Sequence, residues 1–260
     1  MWINNARRVR FRLDEVKHRE ALRIPRPIWS FALDERFVDT LAVRRSDGGP
    51  GNGTLAAAGT FTFGPYGRGR ARTIGSATTG RVDLLAQHVA ALGGLTSASV
   101  VAWVRRDSTA VERGVLCLRH AAGTPKLELF LSSGVNVALR ARGASGDTTR
   151  TQTATVGLTD TGWFHLIGGA VDVAADQMRV WLDDAGLASS PVGLYESGAQ
   201  VFTAGSFSAE AYAAESAIGV SGGIANPWAG DIAAVAVYPG VLTAEQVHAL
   251  WQAGRRGTVR

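Results

Sequence analysis

The feature that most constrains this chain is the rhythm of its apolar residues: short runs, many of them alternating with polar residues, separated by clusters of Gly, Ser, Asp and Pro. Side chains along a strand point to opposite faces in turn, so such runs suit half-buried strands, and the Gly-rich breaks supply turns. Ile28–Leu33 opens the series, Ser46–Gly53 is a long turn, and Thr60–Phe63 is a short strand. Ser97–Arg106 (SASVVAWVRR) is the best candidate for a central strand. Val115–Arg119, Lys126–Leu131, Asn136–Ala141 and the Thr-rich Thr149–Val156 follow at meander spacing. Trp163–Val173 and Gln177–Asp183 predict a hairpin across Ala174–Asp176, and Ala217–Val220 and Asp231–Tyr238 predict the closing strands. With 32 glycines in 260 residues and 46% hydrophobic residues, there are turns enough for many strands and apolar mass enough for one core. The prediction is an all-β, two-sheet antiparallel sandwich.

One helix stands out near the end. Thr243 and Gln246 have the spacing of a capping box, Val247, Leu250 and Trp251 recur on one face, and Gly254 is expected to end it. A shorter helix fits residues 84–92. Trp29, Trp103, Trp163 and Trp181 fall on strand positions and are expected in the core.

Charge divides the chain in two. Residues 1–27 hold eight Lys/Arg and three Asp/Glu, a net +5 that equals the net charge of the whole chain, so the body is neutral. Pro25 and Pro27 favour extended backbone and mark the boundary. The expected organisation is a basic, extended N-terminal arm, 1–27, and a single domain, 28–260. In the arm, Trp2 and Phe11 are interleaved with Arg7, Arg8, Arg10 and Arg12. That mix suits stacking on bases and binding phosphates, but the neutral body argues against a nucleic-acid protein. A basic arm also suits an anionic membrane or an acidic protein surface; the reading set against these is an assembly arm pairing with carboxylates on neighbouring subunits. Cys117 is the only cysteine, so no intrachain disulfide forms; its place in the run Val115–Leu118 predicts a buried, inert thiol. The first residues contain no apolar signal-peptide core, and no run is long enough for a membrane span.

The order of several short motifs resembles the bacterial and phage laminin-G-like, concanavalin-A-like lectin/glucanase family. Trp29–Glu35 (WSFALDE), Gly51–Leu55 (GNGTL), Ser99–Val104 (SVVAWV), Gly162–Leu166 (GWFHL) and Val180–Gly186 (VWLDDAG) match its strands in sequence order. Ile218-Gly219, Gly230–Tyr238 (GDIAAVAVY) and Leu242–Gln246 (LTAEQ) match its close. The resemblance spans about residues 28–254 and implies a jelly roll with one short C-terminal helix. Where the family has an Asp-Glu pair in the closing strand, this chain has Ala233-Ala234, which removes carboxylates that commonly anchor loops or calcium in such folds.

Chemistry is sparse at the level of sequence. A glucanase needs paired carboxylates, and Glu112, Glu128, Glu196, Glu210, Glu215 and Glu245 are scattered singly. His18, His88, His120, His165 and His248 show no metal spacing, and His165 is read as a satisfied core histidine. A non-enzymatic protein is expected, with no cofactor required. Calcium has candidate oxygen ligands at Asp34, Asp39, Asp172 and Asp176, residues that equally suit turns. Glycan-stacking candidates are Tyr66, Tyr195, Phe202, Phe207, Tyr212 and Trp228, aromatics in Gly/Ser/Ala-rich segments.

Two functional readings remain open. The first is a structural protein of a phage-like virion, in a capsid decoration or tail, assembled in the host cytoplasm. Its arm would join other virion proteins or copies of itself, and its jelly roll would touch host glycans. The alternative is a stand-alone carbohydrate-binding, lectin-like module.

Overall fold

The structure, a computed structural model, describes residues 24–31, 33, 42–43, 53–55, 60–63, 70–73, 80–107, 112–185 and 194–255. In chain order it begins with β1 (Trp29–Phe31), β2 (Ala42–Val43), β3 (Gly53–Leu55), β4 (Thr60–Phe63), β5 (Arg70–Thr73) and β6 (Val82–Asp83). A short helix, α1 (Ala86–Ala90), leads into the long strands β7 (Ser97–Arg106), β8 (Arg113–Ala121), β9 (Thr124–Ser132), β10 (Asn136–Ala141) and β11 (Arg150–Gly157). Then come β12 (His165–Asp172), β13 (Gln177–Leu182), β14 (Leu194–Ala199), a 3-10 turn (Ala213–Glu215), β15 (Ala217–Ile218), β16 (Val220–Ser221), β17 (Asn226–Pro227), β18 (Gly230–Pro239) and α2 (Ala244–Arg255).

The first sheet runs β14-β13-β12-β7-β18-β5-β4, with β1 also paired to β18; the second runs β11-β10-β9-β8-β15-β6-β3-β2. All described pairings are antiparallel, and β16 and β17 form a separate hairpin. The expected central strand is central: β7 lies between β12, in register from His165↔Val104 to Asp172↔Ser97, and β18. This is the two-sheet jelly-roll sandwich the sequence predicts.

Alternation explains the layering. Val100, Ala102 and Val104 of β7 point inward and meet Leu127, Leu129 and Leu131 of β9 and Val137 and Leu139 of β10 across the gap. Trp29 and Phe31 of β1 enter the same core, with the Trp29 indole donating to His88 O at 2.9 Å. The opposite parity of the first sheet is apolar as well. Val101, Trp103, Leu166, Ala170, Trp181 and Ala233 form its outer face, and Leu242, Val247, Leu250 and Trp251 of the C-terminal segment cover them. Ile24 packs in this cluster, so the end of the N-terminal segment touches the body.

The capping box forms: Thr243 N donates to Gln246 Oε1 at 2.9 Å and Gln246 N to Thr243 Oγ1 at 3.3 Å. Gly254 does not stop the helix, which runs on to Arg255. Its role is close approach, because a Cβ there would sit 2.0 Å from Trp103 Cζ2. Trp163 also departs from expectation. It is 63% exposed, since the bend at 161–163 precedes β12 and the strand starts only at His165. Cys117 is buried and burial, then the Glu128 carboxylate, push its thiol pKa up, as an inert thiol requires. His165 is satisfied at Nδ1, 2.9 Å from Asp183 Oδ2. No helix among the described residues is long and apolar enough to cross a membrane.

Candidate functional site

A sandwich has three places for a site: between the sheets, or on either outer face. The interior is packed with apolar side chains, and the middle of the first sheet's outer face is an apolar cluster covered by α2. The outer face of the second sheet is different, because mid-strand positions there carry charge. Arg140 of β10 stands opposite Glu128 of β9, which stands opposite Cys117 of β8. Glu128 is 0% exposed and is clasped from both sides: Arg140 Nη1 donates to its Oε2 at 2.9 Å, and Arg119 Nη2 lies 3.2 Å from its Oε1. Cys117 Sγ donates to the same Oε1 at 3.0 Å. Each arginine has a second carboxylate beyond: Arg140 Nη2 is 3.6 Å from Glu112 Oε2, and Arg119 Nε is 3.7 Å from Glu215 Oε2. Both distances are too long for a hydrogen bond, and the buried Arg119 Nε has no hydrogen-bond acceptor among the described residues. The result is a row, Glu112–Arg140–Glu128–Arg119–Glu215, with a buried centre. Its half-exposed members are Glu112, Arg140 and Glu215, with side chains 28%, 26% and 26% accessible. The Arg140 guanidinium lies over the Phe130 ring, 4.4 Å from its centroid.

Loops frame the row. Glu112 Oε1 accepts from Ser221 Oγ at 2.8 Å and Asn226 Nδ2 at 2.9 Å, fixing both legs of the β16–β17 hairpin, and Arg113 Nη1 donates to Pro227 O at 3.2 Å. Gly114 lets the hairpin lie on β8; a Cβ there would sit 1.8 Å from Ser221 N. At the other end, Glu215 Oε2 accepts from Gly123 N at 3.1 Å, and Tyr212 N donates to Arg119 O at 3.0 Å. Buried ion pairs stabilise a fold no better than apolar packing of like volume. Net stability therefore does not account for the row, and its half-exposed members make it the candidate site. Chemically it offers charged donors and acceptors side by side, the arrangement that a vicinal pair of hydroxyls, each both donor and acceptor, can meet with charge-assisted bonds.

Of the sequence-predicted glycan residues among the described ones, Tyr212, half-buried beside Arg119, alone joins this face. Tyr195 is under α2, its ring stacked on Trp181 at 5.9 Å and its hydroxyl donating to Leu242 O at 2.7 Å. Phe202, Phe207 and Trp228 do not meet the glycan-stacking expectation: all three are in the interior cluster, and Trp228 Nε1 donates to Arg105 O at 3.1 Å. A ring packed on every side has no face left for a sugar. Tyr66, Asp34, Asp39 and the arm residues Trp2, Arg7, Arg8, Arg10, Phe11 and Arg12 lie outside the described residues. Asp172 Oδ1 accepts from Ala175 N at 3.0 Å, and Asp176 Oδ1 from Phe202 N at 2.8 Å, so both serve turns and loop anchoring. Among the described residues no three His, Cys, Asp or Glu are placed to hold a metal ion.

The segment that brings Phe202 and Phe207 inward is pinned by buried polar groups. Asp147 accepts from Thr203 N at 3.2 Å and Gly143 N at 3.1 Å. Fully buried Lys126 of β9 donates to Ser208 O at 2.9 Å, Val89 O at 3.4 Å and Glu210 O. His120 Nε2 faces Arg142 O at 3.0 Å, and burial lowers its pKa.

Comparison with known proteins agrees with this architecture. The sequence profile described as the concanavalin A-like lectin/glucanases superfamily matches residues 76–248. No curated protein matches the chain. Among solved structures, domain 4 of AbnA, a GH43 extracellular arabinanase of Geobacillus stearothermophilus in complex with arabinotriose, is similar at 20% identity and TM-score 0.57, covering 86% of this chain and 97% of that one. The CBM40 of the Ruminococcus gnavus IT-sialidase, bound to α2,3-sialyllactose, is similar at 16% identity and TM-score 0.52, covering 69% and 95%. The binding domain of botulinum neurotoxin DC, in complex with rat synaptotagmin II, is similar at 9% identity and TM-score 0.56, covering 87% and 51%. At these identities the likeness is one of fold.

Proposed function

We propose that this chain, which belongs to the concanavalin A-like lectin/glucanases superfamily, is a non-catalytic carbohydrate-binding module that uses the outer face of its second sheet. The observation that carries the reading is the row Glu112–Arg140–Glu128–Arg119–Glu215, a polar stripe with half-exposed ends beside the β16–β17 hairpin, whereas the middle of the other outer face is apolar and covered by α2. Two of the similar solved domains hold oligosaccharides, which supports the same use of the fold. Glycoside hydrolysis is disfavoured because it needs a pair of carboxyl groups free to act as acid and as base or nucleophile. Here Glu128 is buried and held by two arginines, and Glu112 and Glu215 stand at opposite ends of the row, each within 4 Å of an arginine. A role in a phage-like particle, through residues 1–27, gains no support from these relatives, so carbohydrate binding is the preferred reading.

The test is a glycan array probed with the full chain, followed by calorimetric titration of the strongest hit. Arg140→Ala is expected to weaken that hit at least about tenfold, the effect of removing one charge-assisted contact. An array with no hit, or a hit that is indifferent to both Arg140→Ala and Glu112→Gln, would overturn the proposal.

A further inference from the structure

We infer that this face selects uncharged sugars and rejects carboxylated ones. The inference rests on the carbohydrate-binding reading and adds to it a class of ligand. Arginines on a binding face ordinarily suggest an anionic ligand, because the guanidinium fork matches a carboxylate. Here both guanidinium groups are already flanked by carboxylates, with Glu128 at hydrogen-bond distance from each and Glu112 and Glu215 within 4 Å. Arg140 faces Glu128 on one side and Glu112 on the other, and Arg119 faces Glu128 and Glu215. Three carboxylates thus flank two guanidinium groups along the row. Arg113, the further cation at its end, is directed to the Pro227 carbonyl.

The exposed parts matter most. The half-exposed carboxylates Glu112 and Glu215 terminate the row at both ends, while Arg119 is nearly sealed at 5% accessibility. Within the row an arriving carboxylate would meet the half-exposed guanidinium of Arg140 with Glu112 beside it, while Arg113, also half-buried, is turned to the Pro227 carbonyl. Like charges brought together on a partly desolvated face repel, so a ligand carboxylate approaching Arg140 works against Glu112 and Glu128, which already flank that guanidinium. A neutral polyol meets no such barrier. Its hydroxyls can donate to the unshared lone pairs of Glu112 and Glu215 and accept from Arg140, leaving the existing pairs in place. The Phe130 ring beneath the Arg140 guanidinium holds that group flat against the sheet, which restricts its swing toward a distant anion.

The experiment uses an array in which neutral oligosaccharides stand beside counterparts of the same core extended by a uronic or sialic acid, and then titrates the best of each class. The expected result is binding confined to the neutral members. Their affinity should change less than about twofold between low and high salt, since no net charge is exchanged. Glu112→Gln keeps an acceptor for Ser221 and Asn226 but removes one charge next to Arg140. It is expected to raise affinity for carboxylated glycans about tenfold relative to neutral ones. Glu215→Gln, at the opposite end, serves as the second variant. Preference of the unmodified chain for the carboxylated members, lost in Arg140→Ala, overturns this inference and leaves the carbohydrate-binding proposal standing. Absence of binding to either class overturns both.

Discussion

Lys126 offers a sharp quantitative test of how the interior polar groups work. Its ammonium group is fully buried and faces three backbone carbonyls, with no carboxylate at ion-pair distance among the described residues. Burial lowers its pKa from 10.5 to about 8, and the charge of Glu210 offsets only part of that. In the unfolded chain the lysine keeps its proton to about pH 10.4. Between these values the unfolded state binds more protons than the folded state, so stability rises with pH across that window. The rise is about 1 kcal/mol from pH 8 to pH 9, or about 2 °C in Tm for a domain of this size. Cys117 has the opposite sign. Burial, then Glu128, raise its pKa from 9.0, so above pH 9 the unfolded chain gives up a proton that the folded chain keeps, and stability falls on that account. The wild-type curve should therefore climb from pH 8 to 9 and flatten above. Thermal unfolding followed by circular dichroism from pH 7.5 to 10 reads this directly. Lys126→Met should abolish the climb whatever its effect on absolute stability, and Cys117→Ala should extend the climb past pH 9. If Lys126→Met climbs as steeply as wild type, the lysine is not the titrating group and the reasoning fails.

Other expectations concern packing and caps. Gly254→Ala should cost at least about 1–3 kcal/mol, because its Cβ would overlap Trp103, despite alanine's better helix propensity; a stabilised variant in urea titration would contradict the tight crossing. Trp228→Ala should cost about 3–5 kcal/mol, while Trp163→Ala should stay within about 0.5 kcal/mol. Comparable denaturation midpoints for these two would mean that the burial assignment of the two indoles is wrong. Thr243→Ala should lose about 1 kcal/mol through the broken capping box, and a Tm unchanged from wild type would show that the cap is not used.

The strands and the helix were legible because their signals are local. Alternation along Ser97–Arg106 reports which side chains enter the core, and Thr243 with Gln246 caps a helix without help from elsewhere. Trp163 misled because its parity with His165 and Ile167 suits a strand, yet the strand begins two residues later. Phe202, Phe207 and Trp228 misled in the other direction: Gly- and Ser-rich surroundings suggest exposure, while long-range anchors such as Lys126 and Asp147 fold that segment inward. The charged row was hidden because its members come from β8, β9, β10 and two loops, and register alone brings them together. A signal was nonetheless present. Arg119, Glu128 and Arg140 each lie at the parity opposite their strand's core residues, so alternation marks them as outer-face positions; what it does not show is that Glu128 and Arg119 are buried there.

The most direct measurement is a map of the bound glycan on the protein, by crystal structure or by amide chemical-shift perturbation with the strongest array hit. The account predicts contacts or shifts clustered on Glu112, Arg140, Tyr212 and Glu215, over β8 to β10 of the second sheet. A glycan seated elsewhere, for example on the exposed Trp163 at the 161–163 bend, with this face unperturbed, would contradict the central claim.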